Sequence, residues 1–462
     1  MPINARVAEV VQAIESGHID LGILAGIDMQ GRLKGKLFDA AFFGDIVQDR
    51  RDAEMCAYVW ATDMRMRPVD GYALTSWRSG YGDVRMRPDL DTIRLLSWQP
   101  RTAIALADPV DHDGRPVAVA PRVLLRHQLD QLAARGLHVK AGIETEFTLY
   151  QGTAAALDAG NYRDLRPVTW DNRDYAIDHP AQLSQFLLRL RRALAAADLP
   201  PEALKTEAAN GQVELTFPYG DALQACDQHV LGKHATRTIA DRSGMSATFM
   251  AVPVAGVGNG LHVHVSLHGP EPLMAQESDP HQLSTLAQQV VAGLLAVLPE
   301  LVPLYAPSVN SFRRYQKGSF APTAFVWGRD NRTCAVRVVG QGRGLHLEVR
   351  VPGADANPYL VVAAIAAAAR YGIDEKLLPP APYEGNGYQA SGHHIPATLA
   401  EAAATFGGSG LARDLLGPDV HAHYAHAAAI ELEAARRSRR WRHPLRRAAV
   451  PTDELRSRFS QA

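Results

Sequence analysis

Cysteine is scarce. Cys56, Cys226 and Cys334 are the only three in 462 residues, too few and too scattered for a disulfide framework or a zinc ribbon. They read as packed small hydrophobes in a reducing compartment. Excess charge is missing as well: 48 Lys and Arg against 49 Asp and Glu leave a net charge of −1, where a dedicated nucleic-acid binder needs a basic surplus. Long hydrophobic runs are absent. The longest, Leu360 to Ala369, stops at Arg370 and is too short to cross a bilayer. The opening MPINARVAEVVQAIESG has no basic segment leading into an apolar one, so no signal peptide and a cytoplasmic location are expected. No GxxxxGK[ST] loop, protein-kinase motif set or GxSxG elbow occurs, which excludes P-loop, kinase and α/β-hydrolase chemistry.

What is present is ordinary globular composition, 47% hydrophobic and 21% charged, in a chain long enough for two or three domains at about 150 residues each. Val7, Val10, Val11 and Ile14 have helical spacing and stop at Gly17, a helix end. From Leu21 to about Asp108, short alternating runs predict a small β-rich domain. DPVDHDGRPVAVAPR (Asp108 to Arg122) marks a boundary by its Pro, Gly and Asp, giving domains 1–112 and 113–462. Helices are expected over 121–135, 181–198, 281–298 and 358–372, the last opened by Pro358. The basic stretch RRSRRWRHPLRR near the end reads as the solvated face of a C-terminal helix plus a tail.

Four segments share one pattern. In GIETEFTLY, Glu144 and Glu146 fall on one face of a strand, with Ile143, Phe147 and Leu149 on the other. In GQVELTF, Glu214 opposes Val213, Leu215 and Phe217; in GLHVHVSL, His262 and His264 oppose four aliphatics; in GLHLEVRV, His346, Glu348 and Arg350 do the same. One such strand is an exposed antiparallel strand. Four with acids and imidazoles as their polar residues imply cations between the carboxylates, of the hard kind, Mg²⁺ or Mn²⁺. Arg313, Arg314, Arg329, Arg332, Arg337 and Arg350 complete the equipment of phosphoryl transfer.

GIETEF, NGQVEL, GNGLHVHVSL, NSFRRY, APTAFVWGRDNRT and EVRVPGADANPYL, in that order, resemble the glutamine synthetase superfamily from about Ile23 to Ile373. The resemblance implies an α+β fold: a small N-terminal β-grasp domain and a larger catalytic domain whose curved antiparallel sheet lines a funnel. It implies subunit rings, usually a dodecamer of two hexamers, with sites shared between neighbours. It also implies a reaction in which ATP phosphorylates the side-chain carboxylate of glutamate and an amine attacks the acyl phosphate. By the same resemblance Glu146, Glu207 and Glu214 hold one metal ion and Glu144, His262 and Glu348 the other. Arg314 and Arg350 bind the glutamate carboxylate and the phosphoryl group, Arg332 and Arg337 the nucleotide phosphates and transition state. Gly258 touches the amino acid, His264 lies near the nucleotide, and Asp70 takes the amine proton from the neighbouring subunit, with Asp63 as its rival.

The departures bear on the amine. Where ammonia-using members carry a flap glutamate before Ala-Pro, this chain has Phe320 in RRYQKGSFAPT. A flap carboxylate can hold and deprotonate an ammonium ion; phenylalanine offers only an apolar wall, worth about 0.8 kcal/mol per methylene it buries. His346 replaces a family arginine and Val252 a family lysine. The pattern is nearest that of γ-glutamylpolyamine synthetases and related γ-glutamylamide ligases, so the expected substrates are ATP, glutamate and an organic amine, with no nucleic-acid or membrane partner. The rivals are an ordinary glutamine synthetase and a catalytically inactive structural or regulatory homologue.

Overall fold

The computed structural model of the chain describes residues 3–271, 273–437 and 450–461. Helix α1 (Ile3–Glu15) ends just before Gly17, whose φ of +69° suits a residue without a Cβ. Strands β1 (Leu21–Ile27) and β2 (Leu33–Asp39), helix α2 (Ala40–Val47), and strands β3 (Glu54–Cys56), β4 (Asp83–Leu95) and β5 (Thr102–Val110) follow. They build a five-stranded sheet in the order β2-β1-β5-β4-β3, parallel only between β1 and β5. Asp39 caps α2 by accepting from the Ala41 N–H.

Helix α3 (Pro121–Ala133) leads into the long strand β6 (His138–Gln151), the short helix α4 (Ala154–Ala159), and α5 (Ala181–Ala196). Next come β7 (Ala203–Thr206), β8 (Gln212–Thr216), β9 (Gly220–Asp221), α6 (Ala222–Arg242), β10 (Met245–Thr248), β11 (Leu261–His268) and α7 (Thr285–Val297). Strands β12 (Trp327–Arg329), β13 (Val336–Val339) and β14 (His346–Val349) precede α8 (Pro358–Asp374). The nine strands form one sheet, β12-β13-β14-β11-β6-β8-β7, with β9 and β10 also paired to β6; every pair but β12–β13 is antiparallel. Helix α7 starts later than its spacing predicts, because Ser284 caps it by accepting from the Ala287 N–H. Helix α6 was not expected at all. It is buried on nearly every side, with Asp227, His229 and Lys233 among its buried residues, so no polar stripe betrays its period.

One buried ionic knot ties the five-stranded sheet to helices α3, α6 and α8. Arg122 of α3, 2% exposed, pairs with Asp89 (2.7 Å), Asp108 (2.9 Å) and Asp227 (2.9 Å), and Asp227 also accepts from the Tyr359 hydroxyl. Arg122→Ala leaves Asp227 without its buried counter-charge, while Asp89 and Asp108 keep only the more exposed Arg126, and is expected to destabilise the protein by about 3–5 kcal/mol. A fall in the urea midpoint checks this.

The chain closes with α9 (Leu399–Gly408), α10 (Gly410–Leu416), α11 (Pro418–Arg437) and α12 (Thr452–Arg458). Of the basic stretch, Arg436 and Arg437 end α11; from Ser438 onward it lies outside the described residues. Helix α12 packs Leu455 and Phe459 against Tyr150, Tyr162, Met250 and Val252 in a second apolar core. Among the described residues no helix is long and apolar enough to cross a membrane.

Candidate active site

The four patterned strands lie side by side, β14-β11-β6-β8. Their aliphatic and aromatic residues are buried beneath the sheet, which leaves the acids and imidazoles on the opposite face. Register joins these into one row. Arg337 faces Glu348, Glu348 faces His264, His262 faces Glu144, Glu146 faces Glu214, and Glu214 faces Lys205.

Two clusters form along this row. Glu146, Glu207 and Glu214 bring oxygen atoms within 4.8 Å of one another, and Glu144, His264 and Glu348 do the same with their ligand atoms. His262 is close too, its Nδ1 3.3 Å from Glu144 and 3.6 Å from Glu348, while His264 Nε2 lies 2.8 Å from Glu144. Both imidazoles therefore reach the carboxylate that strand alternation places on their face.

The clusters differ electrostatically. Burial, and then repulsion from Glu144, Glu207 and Glu146, pushes the Glu214 carboxyl up to about 9. Burial and Glu146 raise Glu207 despite Lys205. Three acids that cannot all ionise unaided are a donor set suited to a hard divalent ion. In the other cluster burial opposes ionisation, but hydrogen bonds from His262 and His264 hold Glu144 low, and Arg350 with the same imidazoles holds Glu348 low.

A pH effect follows. A carboxyl raised on folding contributes stability that is complete below its unfolded value of 4.5 and is lost as pH climbs towards 9. Glu214→Gln is therefore expected to raise the melting temperature of the metal-free protein at about pH 8 and to leave it unchanged near pH 4. Melting curves in chelator across that range check the sign.

The arginines divide sharply. Arg314, 5% exposed, has no carboxylate within ion-pair distance among the described residues; it donates to the Val351 carbonyl (3.0 Å) and the Arg350 carbonyl, with His262 Nε2 3.5 Å away. Gly260 makes room for it, since a Cβ there would stand 2.8 Å from an Arg314 nitrogen and 3.3 Å from Glu146. Arg350 and Arg337 both donate to Glu348; Arg337 also reaches Asp330. Arg332 is exposed and meets the site through its backbone, accepting from Arg350 Nε at 3.1 Å. Gly258 offers its carbonyl to Gln212 Nε2 (2.8 Å), which also donates to Glu146.

Asp70 is exposed and stands apart from this row: its carboxylate accepts from the Trp77 N–H at 3.4 Å and its carbonyl contacts His426 of α11. Asp63 is committed to a turn, accepting from Arg65, from the Arg67 N–H and from the Arg67 side chain. Phe320 sits at a turn with φ +58° and is 63% exposed. Such a backbone is strained for a bulky residue, and Ser319 braces it by donating to the Arg314 and Gln316 carbonyls. Val252 is buried in the core that α12 completes, where a lysine would lose its hydration. His346 Nε2 lies 3.0 Å from His264 Nδ1.

A cavity of about 390 Å³ opens beside Glu144 and His264, lined also by Phe217, Tyr219, Ser266, Arg343 and His346. Alternation sets Phe217 on the apolar face opposite Glu214, yet it lines this cavity, and Tyr219, Ser266 and Arg343 carry no signature of a site in the sequence. Only the alternation of Ser266 with His262 and His264 hinted at its face.

A profile described as "Glutamine synthetase, catalytic domain" matches residues 118–443. The chain belongs to the glutamine synthetase family. Within it, the chain is 45% identical over 428 residues to gamma-glutamylethanolamide synthetase GlnA4 of Streptomyces coelicolor, covering 93% of this chain and 92% of that one. It is 34% identical over 436 residues to glutamate–isopropylamine ligase of a Pseudomonas species, covering 93% and 95%. The solved GmaS/ADP complex superposes with a TM-score of 0.80 at 26% identity, covering 93% of this chain and 96% of that one. The mixed helix-and-sheet architecture of the described residues between 118 and 437 is thus that of the glutamine synthetase catalytic domain.

Proposed function

We propose that this glutamine synthetase family member is an ATP-dependent ligase joining the γ-carboxylate of glutamate to a small organic amine through γ-glutamyl phosphate. The observation that carries the reading is the complete carboxylate row together with Phe320, apolar and exposed in the segment that follows Arg314. The names of the two relatives, an ethanolamide synthetase and an isopropylamine ligase, support it.

Each residue has a task in this reading. Glu146, Glu207 and Glu214 hold one Mg²⁺ or Mn²⁺ ion, and Glu144, Glu348 and His262 the other, with His264 close enough to share it or face the nucleotide. Such ions, when bound, neutralise triphosphate charge during phosphoryl transfer. The cavity beside Glu144 receives ATP, with Tyr219 and Phe217 offering apolar surface and Arg343 a cation. Arg314 pairs with the glutamate carboxylate and Gly258 borders the amino acid. Arg337 and Arg350, braced by Glu348, face the phosphoryl group as negative charge shifts across it, and Arg332 adds an exposed cation for the nucleotide phosphates. The amine enters over Phe320, and Asp70 of a neighbouring subunit accepts its proton.

That last role requires an oligomer, and we infer a ring assembly, a dodecamer of two hexamers, working in the cytoplasm. The parallel β1–β5 pair, with α2 following β2 in the chain and packed against β1, supports a β-grasp domain over 1–112, with the catalytic domain over 113–462.

Phosphate release with ATP, Mg²⁺ and glutamate, across ammonium, ethanolamine, isopropylamine, putrescine, spermidine and aniline, tests the reading. An organic amine at millimolar concentration is expected to outpace saturating ammonium. Phe320→Glu is expected to cut that preference about tenfold or more, because a carboxylate replaces the apolar wall. Ammonium outpacing every amine returns the protein to glutamine synthesis; turnover with none points to a different acid substrate or to an inactive homologue.

A further inference from the structure

The row of acids does not end in an acid. Lys205, on edge strand β7, stands opposite Glu214 in the β7–β8 ladder, and its ammonium pairs with Glu207 and, at 3.1 Å, with Asp174. It lies 4.2 Å from the centre of the Tyr175 ring. The segment carrying Asp174 and Tyr175 is fastened over β7: the Thr206 hydroxyl donates to the Arg173 carbonyl and the Tyr175 N–H to the Thr206 carbonyl. Lys205 thus has two berths. One is a carboxylate of the Glu146/Glu207/Glu214 cluster. The other, made by Asp174 and the face of Tyr175, lies outside that cluster and is stabilised by charge and by the ring quadrupole.

We infer that Lys205 is a built-in cation that occupies the Glu207 corner of this cluster and withdraws to the Asp174–Tyr175 berth when a divalent ion binds. This rests on the reading of the cluster as a divalent-ion site. A carboxylate oxygen engaged by an ammonium is not free to ligate an ion, and two cations held a few ångströms apart at a partly buried site repel strongly. The cluster therefore binds its ion more weakly than three carboxylates alone would, and Asp174, by drawing the ammonium away, strengthens binding without touching the ion.

The two residues have opposite signs, which makes the inference testable without turnover. Mn²⁺ binding to the full chain, read by the electron paramagnetic resonance signal of free Mn²⁺ at constant pH and without ATP, is expected to show two sites per chain. Glu214→Gln identifies the one belonging to this cluster. At that site Lys205→Met is expected to tighten binding about tenfold, Asp174→Asn to weaken it several-fold, and Lys205→Arg to stay near wild type, while the other site is unmoved. Without metal, Lys205→Met is expected to melt at a lower temperature, because the acids lose their counter-ion. Two Mn²⁺ sites with Lys205→Met binding unchanged or weaker would overturn the built-in cation and leave the metal reading standing. No Mn²⁺ binding by the wild type overturns both.

Discussion

Arg314→Ala is expected to lower kcat/KM for glutamate by about a thousandfold while leaving the KM for ATP within a few-fold of wild type. Arg314 is a buried guanidinium with no carboxylate partner among the described residues, and burial pulls its pKa down. A protein retains such a group where an anion arrives to pair with it, and truncating one member of a buried charged pair costs about 2–5 kcal/mol, with each 1.4 kcal/mol worth tenfold. Arg314→Lys keeps the charge but loses the planar fork that matches a carboxylate, so it is expected to recover only a minor part of the loss. Initial rates with glutamate and ATP varied separately make the measurement. An equal effect on both substrates would count against a glutamate-binding role.

Glu348→Ala is expected to abolish turnover, a loss of about a thousandfold or more, and to remove one of two bound Mn²⁺ ions. Glu348 is 1% exposed and sits between two guanidiniums, Arg337 at 2.9 Å and Arg350, with His262 3.6 Å away. Its removal strips a ligand from one cluster and leaves two cations unbraced in the same stroke. Glu348→Gln separates the effects, since an amide still accepts a hydrogen bond from one arginine yet carries no charge for the ion. It is expected to fold like wild type and to remain inactive. Mn²⁺ stoichiometry and single-turnover phosphate release check both variants.

Much of this site could be read from alternation alone, because a period of two determines which residues share a face. Glu144 with Glu146, His262 with His264, and His346 with Glu348 and Arg350 all occupy the faces that the pattern predicts. Alternation says nothing about which strands become neighbours, and it does not choose between two imidazoles that point the same way. That is why His264 stands closer to Glu144 than the sequence reading placed it. Lys205 escaped notice because a lysine beside a threonine on a short strand reads as ordinary edge polarity. Helix α6 escaped because burial on nearly all sides erases helical periodicity. Phe320 could be read as an apolar substitution, but its left-handed backbone depends on the Ser319 turn, which no local propensity announces.

Helix α12 has a bearing on how the chain matures on the ribosome. The Thr248 hydroxyl donates to the Phe459 carbonyl, 211 residues further along. Glu454 accepts from Asn310, whose side chain in turn holds both the N–H and the carbonyl of Val252, and from Arg313, next to Arg314. The stretches that present Gly258 and Arg314 are thus fastened by residues translated long after them. Earlier segments can fold as they emerge, but the wall that carries Gly258 and Arg314 reaches its final form only after residues 450–459 have left the exit tunnel. A nascent chain stalled before that point would display the carboxylate row without a finished place for the substrate.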